Sequence, residues 1–188
     1  MSLRQQKKLA AWRAIRAAAL ALFDKQGYEA TTIEEIAAAA NVSRATFFNY
    51  FADKEAVVFD LDPEERTRWL ALMDERPEGE PLWDSITAIL LGVNENLRDR
   101  MPLQRRLKAE SPALAQATQS FGKQLGADLR AWVATRVPDQ NDVKGALMLN
   151  LALAASSTAY QTWPSGESFD DFLERLDTCL RLARPQGD

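Results

Sequence analysis

Apolar residues along this 188-residue chain recur at spacings of three and four, and no stretch alternates apolar and polar positions as a half-buried strand does. In the first segment Leu9, Trp12, Ile15, Ala19, Leu22 and Phe23 fall on one helical stripe, and Gly27 stands where a left-handed C-cap ends it. Asp62-Pro63, Glu80-Pro81 and Ser111-Pro112 each read as an N-cap followed by proline at the first helical position. The pattern predicts helices over about 4–26, 33–40, 44–50, 53–60, 63–76, 81–99, 103–109, 112–137, 142–162 and 168–184, with Glu75–Pro81 as the clearest loop. The expected fold class is all-α.

The segment from Thr31 to Lys54, TTIEEIAAAANVSRATFFNYFADK, carries the most local information. Thr32 with Glu35 forms a capping box, and Thr31 with Glu34 is the competing register. Ile33, Ile36, Ala37 and Ala40 are the apolar stripe of a two-turn helix. Asn41 sits where a tight turn needs a left-handed residue, which Asn tolerates better than most side chains. Ser43 caps a second helix, and Val42 with Phe47 occupies the positions of a hydrophobic staple. Helix, short turn, helix is the helix-turn-helix unit, whose second helix can enter a major groove.

Spacing also orients that second helix. Phe47 and Phe51 stand four apart and face inward, so Arg44, Ala45, Phe48 and Asn49 point away. Arg bonds guanine edges bidentately, Asn pairs with adenine, and an apolar side chain meets a thymine methyl. Tyr50 and Lys54 flank this face with a hydroxyl and an ammonium suited to phosphate oxygens. The helix starts at Thr32 and Ser43 offer backbone N–H donors for the same purpose.

Composition narrows the chemistry. The chain has 0 His and 1 Cys, Cys179, which removes imidazole-dependent catalysis, disulfides within the chain and cysteine–histidine metal sites. No pattern of clustered carboxylates offers acid–base chemistry in their place. The expectation is a protein that is not an enzyme and uses no cofactor or metal. Net charge is −4, but residues 1–54 hold 8 Lys/Arg against 5 Asp/Glu while the remainder holds 15 against 22. A basic N-terminal third on an acidic body fits a local anion-binding surface. No apolar run approaches the roughly 18 residues of a membrane span. Arg4, Lys7 and Lys8 are not followed by the apolar core of a signal peptide. A cytoplasmic protein with no membrane partner is expected.

From Gly27 to Val58 the chain closely resembles the N-terminal DNA-binding domain of TetR-family transcriptional regulators. The resemblance rests on Gly27-Tyr28, Thr31-Thr32, Ile36-Ala37, Ala40, Val42-Ser43, Thr46-Phe47, Tyr50-Phe51 and Lys54-Glu55. With the preceding helix it covers residues 4–60. It implies a helix-turn-helix DNA-binding domain over 1–60 and a helical ligand-binding and dimerisation domain over 61–188. The DNA-contacting set is then Thr31, Thr32, Ser43, Arg44, Ala45, Thr46, Phe48, Asn49, Tyr50 and Lys54. Phe48 departs from the family, where Tyr is common. The missing hydroxyl leaves Phe48 as a thymine-methyl or packing residue.

The resemblance further implies a homodimer on a double-stranded, palindromic operator, with repression relieved by a small ligand. Trp69, Trp83, Trp132, Trp163, Phe121, Tyr160, Met101 and Met148 suit an apolar or aromatic effector, or an ordinary core. The stretch Val143 to Tyr160 is apolar nearly all round and rich in small residues, so it must be buried on all sides. Phe169, Phe172, Leu173, Leu176, Leu180 and Ala183 form a second stripe beside it. In the family the last two helices join two subunits; a hairpin buried within one subunit is the alternative. Other readings are an activator or ligand-independent regulator of the same fold, and a helical small-molecule-binding protein without DNA binding.

Overall fold

Leu9, Trp12, Ile15, Ala19 and Phe23 are buried along one face of α1 (Leu3–Gln26), as the stripe predicts. The computed structural model describes residues 2–115, 120–137, 143–164 and 166–185. Among these the chain is all-helical, with α2 (Ile33–Ala39), α3 (Arg44–Phe48), α4 (Lys54–Phe59), α5 (Glu65–Asp74), α6 (Leu82–Glu95), α7 (Met101–Glu110), α8 (Pro112–Ala115), α9 (Ser120–Arg136), α10 (Val143–Gln161) and α11 (Phe169–Leu182). No helix among the described residues is long and apolar enough to cross a membrane.

The chain divides into two compact units, Met1–Pro63 with Leu103–Phe121, and Glu64–Pro102 with Gly122–Asp188. In the first unit α1 to α4 close on a core of Trp12, Ile15, Ala19, Phe23, Tyr28, Ile36, Phe47, Phe51, Val57 and Val58. Leu107 and Leu114 are buried in the same core. Polar ties accompany them: Arg106 pairs with Asp24 at 2.6 Å, Ser111 bonds the Glu29 carboxylate, and Gln104 donates to the Val58 carbonyl at 2.7 Å.

The end of α4 is satisfied from α1. Arg16 is 9% exposed and donates to the carbonyls of Asp60 and Val58 at 2.8 and 3.1 Å. Its guanidinium carbon also lies 5.1 Å from the Trp12 ring centroid. Asp60 is extended, with ψ 142, and breaks the helix there.

In the second unit Trp69, Met73, Trp83, Ile86, Ile89, Leu90, Met148, Leu149, Phe172 and Leu176 are buried. The α10–α11 hairpin packs on α6. Gly145 lets α10 come close, since a Cβ there would meet Val137 Cγ2 at 2.9 Å. The Trp163, Phe169 and Phe172 rings cluster at 4.9 to 6.0 Å between centroids.

Three details correct the sequence reading. Pro63 and Pro81 are not first helical residues. The Asp62 carboxylate is held by Arg13, and Glu80 accepts from Ser85 and Arg76 instead of capping. The recognition helix stops at Phe48 rather than Tyr50. The helix expected over 112–137 is described as two segments, and the residues joining them lie outside the described ones.

Candidate nucleic-acid interface

Local chemistry builds the two-helix unit from its caps. Thr32 Oγ1 accepts the Glu35 amide at 3.2 Å while Glu35 Oε2 takes the Thr32 amide and hydroxyl at 2.8 and 2.9 Å. The box selects the Thr32 register over the Thr31 one. Those bonds hold the Glu35 carboxyl below the usual carboxylate range. Asn41 turns the chain with φ 53, and Ser43 Oγ accepts the Thr46 amide at 3.0 Å to start α3. Phe47 and Phe51 are 0% and 1% exposed, with the Phe51 ring 5.3 Å from that of Trp12. Burying these two rings turns the opposite face of α3 outward.

Ser43, Arg44, Ala45, Phe48 and Asn49 lie exposed on that outward face. Phe48 leaves 41% of its surface in solvent and meets Phe47 edge-on at 5.5 Å. The Arg44 guanidinium carbon sits 4.9 Å from the Phe48 ring centroid. Arg44 Nε also lies 2.7 Å from Glu34 Oε1 on α2, with both side chains about two-thirds exposed at 63% and 65%. Such a pair contributes about 0–1 kcal/mol in water, so the guanidinium can exchange partners at little cost. Thr46 and Tyr50 are half-buried, and Thr46 Oγ1 lies 2.8 Å from Ser43 Oγ.

Residues 15–61 match the family model of the bacterial regulatory proteins, tetR family. Over these residues the chain is similar to the DNA-binding part of TetR-family regulators. Its match to the HTH-type transcriptional regulator TcmR of Streptomyces glaucescens is 40% identical over 81 residues, 43% of this chain and 36% of that protein. The A-factor receptor protein of Streptomyces griseus is 33% identical over 79 residues, 42% of this chain and 27% of that protein. The chain thus matches 36% and 27% of the lengths of these two curated relatives. Two solved structures share the fold over nearly the whole chain. A transcriptional regulator from Aquifex aeolicus has a TM-score of 0.58 at 16% identity, covering 92% of this chain and 98% of its own. Thermus thermophilus FadR, a repressor solved with lauroyl-CoA, has a TM-score of 0.54 at 25% identity, covering 94% and 98%.

Two members of the sequence-predicted set are turned toward the α1–α2 turn. Thr31 is 2% exposed, and its hydroxyl donates to the Gly27 carbonyl at 2.8 Å. Lys54 Nζ donates to the carbonyls of Tyr28 and Thr31 at 2.7 and 2.9 Å, and lies 4.0 Å from the Tyr28 ring centroid. Burial pushes this ammonium below the usual lysine range. Both side chains brace the turn between α1 and α2, Thr31 buried and Lys54 half-buried. Glu34 is the neighbour that sequence reading missed. Its only signal was the rival capping register, which left Glu34 without a partner once Thr32 took Glu35.

Proposed function

We propose that this protein is a sequence-specific DNA-binding transcriptional regulator, a homodimeric repressor of a palindromic operator relieved by a small ligand. One observation carries the DNA part: α3 holds Phe48 in solvent beside an exchangeable Arg44, with Ala45 and Asn49 on the same face. Arg44 reads a guanine edge, Asn49 pairs with adenine, and Phe48 or Ala45 meets a thymine methyl. Thr32, Ser43, Thr46 and Tyr50 hold the phosphate side of the contact. Glu34 gives up Arg44 on binding. The protein works in the cytoplasm, where an operator is accessible.

Dimerisation through α10 and α11 is supported by the half of α10 that faces away from α6 and α11. Val143 and Leu147 are 77% and 55% exposed there, alongside exposed Ala146, Asn150 and Ala154. The ligand part is supported by the likeness to the lauroyl-CoA-bound repressor and remains apolar or aromatic in character. A second reading, regulation without a ligand, is favoured by the state of the expected lining. Trp69, Trp83, Trp163 and Met148 are 1–3% exposed and packed in the core. A wide-open surface depression of about 380 Å³ lies beside α11, lined by Thr162, Glu167, Asp171, Glu174, Arg175, Thr178 and Cys179.

Selection of binding sites from a random duplex library by the purified protein tests the proposal, followed by Arg44→Ala on the selected duplex. A palindrome should emerge. The substitution should cost about 1–3 kcal/mol per half-site and relax one base pair in each. Equal loss on selected and scrambled duplexes would make Arg44 a backbone contact. No enrichment at all would remove the DNA-binding reading.

A further inference from the structure

The first two turns of α1 form a cationic face that the fold does not use. Residues Ser2 to Lys8 are all exposed, and burial on α1 begins at Leu9. This overhang carries Arg4, Lys7 and Lys8, and no Asp or Glu precedes Asp24. A cation in the first turn, as Arg4 is, opposes the helix macrodipole. Elsewhere the chain follows the dipole: α2 opens with Glu34 and Glu35, and α11 with Asp170 and Asp171. The capping boxes show the same contrast. Thr32 pairs with Glu35 and Ser168 with Asp171, but Ser2 pairs with the neutral Gln5. Gln5 Oε1 accepts the Ser2 amide at 2.7 Å, and the Gln5 amide reaches Ser2 Oγ at 3.3 Å. The helix start is thereby ordered without adding a negative charge. A local conflict of this kind, with nothing gained in the fold, points to a functional surface.

The cations have no carboxylate of their own. Arg13 pairs with Asp62, Arg66 with Asp128, Arg98 with Glu95 and Asp170, and Arg106 with Asp24. Among the described residues no carboxylate pairs with Arg4, Lys7 or Lys8. Their placement relates them to the recognition helix. Arg4, Lys8 and Trp12 are spaced by four and share a face. The Trp12 ring packs 5.3 Å from that of Phe51, three residues beyond the end of α3. At 1.5 Å per residue, Lys8 and Arg4 lie about 6 and 12 Å further along α1 from Trp12. The stripe that packs beside the end of α3 turns cationic as it leaves the core.

We propose that Arg4, Lys7 and Lys8 form a phosphate-binding face that extends the footprint of α3 along the backbone of duplex DNA. This rests on the DNA-binding reading above and adds a sequence-independent contact to it. Ammonium and guanidinium groups on an ordered helix meet phosphate oxygens without reading bases, so the face raises affinity for every sequence alike.

The test is Arg4→Gln/Lys7→Gln/Lys8→Gln in the full chain against a labelled mixed-sequence duplex of about 30 base pairs, long enough for two half-sites a helical turn apart. Wild type, this variant and Arg44→Ala are titrated over a salt series, each with a thermal melt. The triple variant should bind at least about tenfold more weakly at low salt, and each phosphate left without its cation should flatten the log Kd against log salt slope by about 0.9. Its melting temperature should be unchanged or higher, because the opposition to the dipole is gone. Wild-type affinity and slope in the triple variant would overturn the proposal while leaving the DNA-binding reading intact. Weaker binding with a lowered melting temperature would assign the residues to the fold and also overturn it. If folded wild type binds neither this duplex nor any library sequence, the DNA-binding reading falls and takes the proposal with it.

Discussion

Lys54 shows how one side chain's partners decide its role. An ammonium that already donates to the Tyr28 and Thr31 carbonyls and lies on the Tyr28 ring is part of the fold. Losing two hydrogen bonds to a charged group leaves both carbonyls short of a partner. Lys54→Met should therefore destabilise the protein by about 1–3 kcal/mol in chemical denaturation. The salt slope of duplex binding should not change. A slope flattened by about one unit with unchanged stability would return Lys54 to the phosphate contacts. The same scale shows what the sequence made legible. The Thr32–Glu35 box, the left-handed Asn41 and the inward Phe47 and Phe51 follow from spacings of three and four and from one turn propensity. The destinations of Lys54 and Thr31 do not. Their partners are backbone carbonyls, which every residue carries, so no pattern of side chains marks them. The Arg44–Glu34 contact joins two helices across a turn, and its geometry exists only once the turn is set.

Helices meet through shared side chains, and Asp128 on α9 joins α5 in this way. Its carboxylate accepts from Arg66 at 2.8 and 2.9 Å, from Trp69 Nε1 at 3.0 Å and from Gln124 at 3.2 Å. The Arg66 bonds, helped by Trp69 and Gln124, outweigh burial and hold the carboxyl at about 2. An unfolded Asp titrates near about 3.9, so the depressed value adds stability that is complete above pH about 4 and is lost as pH falls toward about 2. Arg66 is 55% exposed, which reduces the contribution to about 1–2 kcal/mol. Asp128→Asn should be less stable than wild type at pH about 6, and the gap should close at pH about 2. A gap of the same size at both values would mean that the carboxylate charge is not what ties α5 to α9. Element identity was readable from sequence because apolar stripes declare helices. Which core receives a stripe was not. Leu107 and Leu114 bury themselves among Phe23, Phe47 and Phe59 in the first unit, although they follow forty residues of chain beyond its expected end. The break after α4, by contrast, falls at extended Asp60, whose carbonyl Arg16 takes, where the expected helix over 53–60 ends.

At the scale of the molecule, α10 leaves half its surface unexplained by a single chain. Gly145, Met148, Leu149, Ala152, Ala155 and Ala159 are buried, while Val143 and Leu147 face solvent at 77% and 55%. Leu182 near the end of α11 is 82% exposed. An apolar stripe with small residues between its large ones is what a second copy of α10 and α11 would cover. The homodimer should appear in light scattering as twice the 21.0 kDa chain mass. Leu147→Asp places a carboxylate in the seam, where burial without a partner is costly, and should yield a folded species of single-chain mass. The consequence for DNA follows from symmetry. In the proposed dimer, two identical recognition helices would engage two half-sites about 34 Å apart, the second at high effective concentration. A monomer has one α3 and loses that gain, so Leu147→Asp should bind the palindrome no more tightly than a single half-site. Folded, monomeric Leu147→Asp that still protects both half-sites with wild-type affinity would show that pairing through α10 is not what couples the two recognition helices.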